Sequence, residues 1–286
     1  MSEDPHAKSA DLDSMSTRDL LEVMNAEDAR AMAAVRSRLA DVARAVDLIA
    51  ARLREGGRLH YFGAGTSGRL AALDAAECGP TFGIDAGLVS AHCADDGAAE
   101  DDRALGMEHV TAAKLSSRDA AVLVSASGTT PYVLGAAEQL RSAGTLVVAL
   151  ACADGSPLAR AADVAIEIDA GPEVIAGSTR LKAGTVQKVV LNMLSTGVFT
   201  RLGHTYRGRM VGVAAANDKQ RGRAVRQVAE LTGVSRQEAE RALARSDWSS
   251  KVAILVLRCG MSADAARSRL SEVDGDLAAA LGERQR

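Results

Sequence analysis

Three short polar stretches rich in Ser, Thr and Gly contain the residues of this sequence best able to bind a ligand. Residues 63–68, residues 125–130 and the pair Ser178-Thr179 each follow an apolar segment. Backbone amides of a Gly-rich turn at a helix N-terminus bind anions, and the hydroxyl groups add donors. One such stretch is usually an ordinary turn, but three of them favour a phosphate site. The candidate ligands of the phosphate are Gly65, Thr66, Ser67, Ser125, Ser127, Thr130, Ser178 and Thr179.

Charged side chains near these stretches are candidates for acid–base chemistry. Glu77 ends the helix predicted after the first stretch and has mostly apolar neighbours, Glu100 stands in an acidic segment, and Glu173 precedes Ser178. Two carboxylates in different environments can serve as an acid and a base. Lys182 could neutralise a phosphate. The alternatives are a solvated first helical turn for Glu100 and a solvated basic turn for Lys182.

Apolar runs that alternate with helical segments must position these residues. They predict strands at 58–62, 87–91, 120–125, 145–151 and 164–168, with helices at 98–115, 132–143 and 186–201. This alternation is typical of a three-layer α/β fold with a central parallel sheet. Ligands of such sheets bind beyond the carboxyl ends of the strands, where we expect the three polar stretches to meet.

The ends of the chain differ from this pattern. Residues 1–10 are expected to be disordered. A long N-terminal helix is predicted from Ser16 or Thr17 to Glu55, with a bend near Asn25. The phosphate-binding domain is therefore expected at 11–222. Residues 223–286 predict a small all-helical subdomain with two related hairpins, whose helices begin at Ser235 and Ser262.

Composition excludes several function classes. A net charge of −3 and 2% aromatic residues argue against a nucleic-acid-binding surface. No apolar run approaches the ~20 residues of a membrane helix.

The segment Gly63-Ala-Gly-Thr-Ser-Gly68 matches a dinucleotide motif, but no clear strand ends in an acidic residue at the required distance. The four scattered cysteines and five histidines form no metal-binding spacing, and free thiols predict a reducing cytoplasm.

Three longer strings identify a family resemblance. They are Tyr61-Phe-Gly-Ala-Gly-Thr-Ser-Gly-Arg-Leu, Asp74-Ala-Ala-Glu-Cys and Gly171-Pro-Glu-Val-Ile-Ala-Gly-Ser-Thr-Arg-Leu-Lys-Ala-Gly-Thr. The sequence resembles the N-acetylmuramic acid 6-phosphate etherases of the sugar isomerase (SIS) phosphosugar-binding superfamily, from about Leu12 to the end of the chain. The resemblance implies a three-layer αβα SIS domain and a lyase that releases D-lactate from a sugar phosphate without a cofactor or metal.

The resemblance also implies roles for individual residues. Glu77 would protonate the departing lactate and Glu100 would act as the base, while Glu173 would contact the sugar. It further implies a homodimer whose sites lie at the subunit interface, acting in the cytoplasm.

Three departures from the family pattern accompany the resemblance. Thr129 stands where the family usually has Arg, Gly79 replaces a Pro, and the segment between Gly83 and Asp96 is shorter than usual. The shortening makes Glu108 an alternative to Glu100, although Ala-Glu-Asp-Asp matches the family motif better. Two other functions stay open: a phosphosugar-sensing regulatory protein and an aldose–ketose isomerase with Glu173 as its base.

Overall fold

The structure is a computed structural model that describes residues 6–7, 9–212 and 218–283 of the chain. It divides into two compact units. The first comprises residues 1–76 and 87–196, and the second comprises 77–86 and 197–286. Of the described residues expected in the phosphate-binding domain, 77–86, 197–212 and 218–222 group with the second unit. Six of the ten residues expected to be disordered, residues 1–5 and Lys8, lie outside the described residues, whereas a 3₁₀ helix spans Ser9–Ser14.

The first unit is built on a five-stranded parallel sheet. Its strands are β1 (Leu59–Ala64), β2 (Val89–Ala94), β3 (Ala120–Ser125), β4 (Leu146–Ala151) and β5 (Val164–Glu167), in the spatial order β2-β1-β3-β4-β5. β1, β3 and β4 are buried along their whole length, which explains their continuous apolar sequences. The predicted α/β fold class is confirmed.

The strand order reverses direction between β1 and β3. The chain moves from β1 outward to β2 and from β3 outward to β4 on the other side. Right-handed crossovers in opposite directions place α3 (Gly65–Phe82) and α6 (Pro131–Ser142) on opposite faces of the sheet. A crevice therefore opens where the loops after β1 and β3 separate, which is where such sheets bind ligands.

Further helices complete the first unit. The segment predicted as one N-terminal helix forms two, α1 (Thr17–Ser37) and α2 (Leu39–Arg54), and the chain breaks at Arg38 with φ −108°. The predicted bend near Asn25 is therefore wrong, whereas Ser16 caps α1 as predicted by accepting a hydrogen bond from the Asp19 amide. The segment after β2 is also two helices, α4 (Gly97–Glu100) and α5 (Arg103–Ala113), because the Asp102 side chain caps a new helix at the Leu105 amide. α7 (Pro157–Arg160) precedes β5, and α8 spans Lys182–Arg201.

The second unit consists mainly of short helices. A two-stranded ribbon, β6 (Thr205–Tyr206) and β7 (Arg209–Met210), precedes helices whose bounds are α9 (Asp218–Thr232), α10 (Arg236–Ala244), α11 (Ser250–Cys259), α12 (Ala263–Ser271) and α13 (Leu277–Ala280). Ser235 caps α10 and Ser262 caps α12, as predicted. Their apolar faces share one core that includes Leu243, Ile254 and Leu277. No described helix is both long enough and apolar enough to cross a bilayer.

Candidate phosphosugar site

The first polar stretch forms the sharp junction between β1 and α3. Gly65 adopts a φ of +50° and begins α3 at once, so Thr66 and Ser67 lie in its first turn. Gly68 lies so close to strand β2 that a Cβ there would be 2.3 Å from the Cys93 Sγ and 2.6 Å from the Gly63 carbonyl oxygen. Only glycine fits that position. The tight junction directs the N-terminal end of α3 toward the crevice.

The second polar stretch is held by its own side chains. The Ser125 hydroxyl accepts a hydrogen bond from the Gly128 amide (3.0 Å) and pairs with the Thr130 hydroxyl (2.9 Å). The Ser127 hydroxyl accepts from the amide of Thr129 (3.2 Å) and from its hydroxyl (2.8 Å). Thr130 is the N-cap of α6 but makes no side-chain capping bond within the described chain. The N-terminus of α6 is therefore open to an anion, like that of α3.

These two junctions enclose a cavity of about 390 Å³ at the carboxyl ends of β1 and β3. Seven of the eight predicted phosphate ligands line it, namely Gly65, Thr66, Ser67, Ser125, Ser127, Thr130 and Thr179. The other lining residues are Ala64, Arg69, Glu100, Val124, Ala126 and Gly177. The cavity thus combines hydroxyl groups, two helix N-termini, a guanidinium and a carboxylate.

Glu100 is the carboxylate in this wall. It ends α4 and is half-buried, and its Oε2 lies 3.5 Å from the position that a Cβ on Gly65 would occupy. The alternative Glu108 is exposed on α5 and does not contribute to the cavity. Asp96 and Asp102 cap the helices on either side, so the capping role in this acidic segment belongs to them. The geometry leaves Glu100 available to act on a bound ligand.

At the start of α8, the contacts of Glu173 and Lys182 differ from those predicted. Glu173 is only 1% exposed, and its two carboxylate oxygens accept hydrogen bonds from the backbone amides of Lys182 (3.1 Å) and Ala183 (3.0 Å). The structure therefore places Glu173 as a cap of α8 and does not bring it to the cavity. The Glu173 carboxylate already occupies this helix N-terminus. The third stretch contributes Thr179 and Gly177 to the wall, and Ser178 does not line it.

Lys182 is also engaged within the protein. It is 2% exposed, and its Nζ donates to Oε2 of Glu27 in α1 at 2.7 Å. Burial would raise the pKa of Glu27, but the hydrogen bonds from Lys182 and His6 outweigh burial and lower that pKa below its ordinary 4.5. Lys182 neutralises a buried carboxylate and is not among the residues lining the cavity.

Glu77 lies on the α3 segment that belongs to the second unit. Its side chain is exposed, as is Ala76, while Cys78 is buried. The expected apolar surroundings of Glu77 are therefore not found. Glu77 is not among the residues lining the cavity.

The comparisons with known proteins identify the family. The SIS domain model matches residues 99–197. The chain is 46% identical to the N-acetylmuramic acid 6-phosphate etherase of Salmonella agona, over 98% of this chain and 97% of the relative. It is 48% identical to the etherase of Yersinia pestis (strain Pestoides F), over 98% of both chains. The chain belongs to the N-acetylmuramic acid 6-phosphate etherase family.

Solved structures agree with the fold assigned to this etherase family member. The chain resembles the Escherichia coli CFT073 protein c3406, solved in complex with A5P, with a TM-score of 0.50, 20% identity, and coverage of 68% of this chain and 97% of that one. A phosphoheptose isomerase from Francisella tularensis gives a TM-score of 0.50 at 15% identity, covering 65% and 100%. These likenesses confirm the SIS fold.

Two residues of the site were missed by the sequence reasoning. Arg69 lines the cavity, and its Nη2 lies 3.5 Å from the Thr66 hydroxyl. The i, i+3 spacing of Thr66 and Arg69 at the start of a helix was a usable signal. Gln187 of α8 contacts the Ser67 hydroxyl, although the two residues are 120 positions apart. Nothing in the local sequence indicates that contact.

Proposed function

We propose that this etherase family member cleaves the lactyl ether of N-acetylmuramic acid 6-phosphate and yields N-acetylglucosamine 6-phosphate and D-lactate. The observation that carries the proposal is a single cavity that holds both anion-binding junctions and the carboxylate of Glu100, in a chain related over its full length to curated etherases. The reaction belongs to the recycling of cell-wall amino sugars.

The phosphate binds at the paired junctions. The N-termini of α3 and α6 carry partial positive charge, and neither is occupied by a capping carboxylate in the described residues, whereas the N-terminus of α8 is occupied by Glu173. Thr66, Ser67 and Ser127 add hydroxyl groups, and Arg69 adds a full positive charge. Charge-assisted hydrogen bonds to a phosphate are among the strongest in proteins, so these contacts fix one end of the sugar.

The chemistry is elimination followed by hydration. The open-chain sugar has an aldehyde that acidifies the proton on the adjacent carbon, and Glu100 removes this proton as general base. The electron pair forms a carbon–carbon double bond, the ether bond on the sugar side breaks, and Glu77 protonates the departing lactate. Water then adds to the double bond, with Glu77 deprotonating the water and the Glu100 acid returning a proton to carbon. The net reaction consumes one water and changes no oxidation state.

The assembly is proposed to be a homodimer whose sites lie at the subunit interface. Four large apolar side chains on the two N-terminal helices are at least one-third exposed, namely Leu21, Met32, Leu39 and Leu48. A second copy would remove this surface from water. Sedimentation at assay concentrations tests the proposal, and a fully active monomer would contradict it. The four thiols, none in a disulfide among the described residues, suit the reducing cytoplasm in which we place the reaction.

The decisive experiment is to incubate the protein with N-acetylmuramic acid 6-phosphate and to measure D-lactate and the sugar product. In H₂¹⁸O, elimination and hydration place the label in the sugar hydroxyl and leave lactate unlabelled. In D₂O, deuterium enters the carbon beside the aldehyde. Folded protein that binds the substrate but releases no lactate would favour the sensor hypothesis, and a ketose product would favour the isomerase.

A pair of variants tests the assignment of the two carboxylates. Glu77→Gln and Glu100→Gln should each abolish most lactate release while the variants still bind inorganic phosphate. Glu108→Gln is the matched control, because Glu108 is an exposed carboxylate on the neighbouring helix. Normal turnover by Glu77→Gln or Glu100→Gln would remove the role given to that residue.

A further inference from the structure

The direction of the hydrogen bond between Ser67 and Gln187 prevents the Ser67 hydroxyl from donating to a phosphate. Ser67 lines the cavity and is 8% exposed, and its Oγ lies 3.0 Å from the Oε1 of Gln187, which is 1% exposed. In this arrangement the hydroxyl donates to the amide oxygen. Because a serine hydroxyl has one hydrogen, none is left for a phosphate oxygen.

The other end of the same amide is unsatisfied. The Nε2 of Gln187 is buried and has no hydrogen-bond partner among the described residues. A buried donor without an acceptor is unfavourable, so a hydrogen bond from Nε2 to an acceptor would lower the free energy of the folded protein. A half-turn about the last side-chain bond exchanges Oε1 and Nε2. The nitrogen then lies within reach of Ser67 Oγ, which has lone pairs to accept its hydrogen.

The helix that carries Gln187 is fixed against the phosphate-binding junction. Glu173 caps α8, and Gly184 lies so near the junction that a Cβ on it would be 3.7 Å from Thr66 Cγ2. Gln187 follows Gly184 by about one helical turn. Because the turn takes place about the last side-chain bond of Gln187, it requires no movement of either backbone.

We infer that Gln187 is a positioning residue for phosphate binding. When a phosphate enters, the amide turns, Nε2 donates to Ser67 Oγ, and the Ser67 hydroxyl hydrogen points to a phosphate oxygen. The donated hydrogen bond also polarises the hydroxyl group and strengthens its bond to the anion. The inference rests on the proposed phosphosugar function of this cavity and adds to it the residue that sets the direction of the Ser67 hydroxyl.

Two substitutions of Gln187 test the inference. Gln187→Leu removes the donor, and Gln187→Glu supplies an ionised carboxylate that only accepts hydrogen bonds. Both should raise KM for the sugar phosphate, and the Ki of inorganic phosphate as a competitor, by about ten- to hundredfold, the worth of one hydrogen bond to a charged group. The kcat should change less than threefold, since we assign Ser67 to the phosphate and not to the reacting carbons.

Two further readouts separate positioning from a structural role. In a Ser67→Ala background, Gln187→Leu should cause no additional loss, whereas a purely structural residue would cause the same loss in both backgrounds. The phosphate affinity of Gln187→Glu, relative to the original protein, should recover as pH falls, because a protonated Glu can donate to Ser67. Gln187→Leu should show no such recovery. An unchanged KM in folded Gln187→Leu, or additive losses with Ser67→Ala, would overturn the inference.

A measurement on the unsubstituted protein covers the case in which the variants do not fold. Neutron diffraction of the deuterated protein with bound phosphate should show a deuterium of Nε2 directed at Ser67 Oγ and the Ser67 deuterium directed at the anion. A Ser67 deuterium still directed at Gln187 would overturn the inference. If the original protein neither binds phosphate nor releases lactate, the proposed function itself has failed; normal turnover with unaffected Gln187 variants removes only the positioning role.

Discussion

The cavity wall and the start of α8 contain the same kinds of residue, but the environments of their charged side chains are opposite. In the cavity wall, Glu100 and Arg69 face a space of about 390 Å³, and two helix N-termini are open to it. At the start of α8, Glu173, Lys182 and the facing Glu27 of α1 are buried, and each is paired with an oppositely charged side chain or with backbone amides. The difference shows that a polar residue near a ligand site is informative only when its hydrogen-bonding capacity is still available.

The largest effect should come from Glu100, which tests whether the cavity wall serves catalysis and not stability. Glu100→Gln should lower kcat by about 10²- to 10⁴-fold, the usual contribution of a general base. Its melting temperature should stay within ~2 °C of the original, because the side chain caps no helix and pairs with no cation among the described residues. Lactate release and thermal unfolding measure the two quantities. A large loss of stability would show that Glu100 stabilises the fold, as the buried charges at the start of α8 do.

The next effect concerns stability at the start of α8. Lys182→Met should reduce the free energy of unfolding by about 1.5–3 kcal/mol, because Glu27 loses the hydrogen bond of its buried cation and keeps only His6 and the mostly exposed Arg30 as partners. Urea denaturation measures this loss. The double variant Glu27→Gln/Lys182→Met should recover most of it, since neither position of the pair then carries a buried charge. At a temperature where Lys182→Met is folded, KM should be nearly unchanged. A large increase in KM would indicate that Lys182 contributes to phosphate binding.

A smaller effect is expected at Arg69. Arg69→Ala should raise KM for the sugar phosphate by about three- to tenfold at low ionic strength, because an exposed charge in water contributes modestly. The difference from the original protein should shrink as salt is added, since exposed charges are screened. Steady-state kinetics at several salt concentrations measure this effect. A salt-independent increase in KM would indicate that Arg69 acts through local structure.

The smallest expected effect is on the pH dependence of stability. Because the pKa of Glu27 is lowered in the folded protein, its ionised form contributes stability that is fully present above about pH 4.5. That contribution should be lost as pH falls below 4.5 through the lower folded pKa. Glu27→Gln/Lys182→Met should lose less stability over this range than the original protein does. Equal acid sensitivity of the two proteins would contradict the assignment.

The sequence predicted the parts of this fold whose signals are local. The buried strand β3 was predicted at residues 120–125, where it lies, and β4 and β5 within one residue at each end. Ser235 and Ser262 were recognised as caps because capping depends on residues within one helical turn. Most of the cavity followed from the rule that parallel strands bring their carboxyl ends together.

What the sequence did not reveal depends on distant partners. Lys182 was assigned to the phosphate because nothing nearby in the sequence shows that Glu27, 155 residues before it, neutralises this lysine. The break at Arg38 was missed because the helical period continues through it in sequence. The role of Gln187 depends on which atom of an amide faces Ser67, and that follows only from three-dimensional structure.

The buried pair of Glu27 and Lys182 has a consequence for how related sequences can diverge. Losing Glu27 alone leaves the Lys182 ammonium buried without its carboxylate, and losing Lys182 alone leaves the buried Glu27 with only His6 and the more exposed Arg30, so both single-step intermediates are unfavourable. The two positions should therefore be inherited as a unit, either both ionic or both uncharged. An alignment of distant relatives should show this covariation between α1 and α8 even where the surrounding helices have changed.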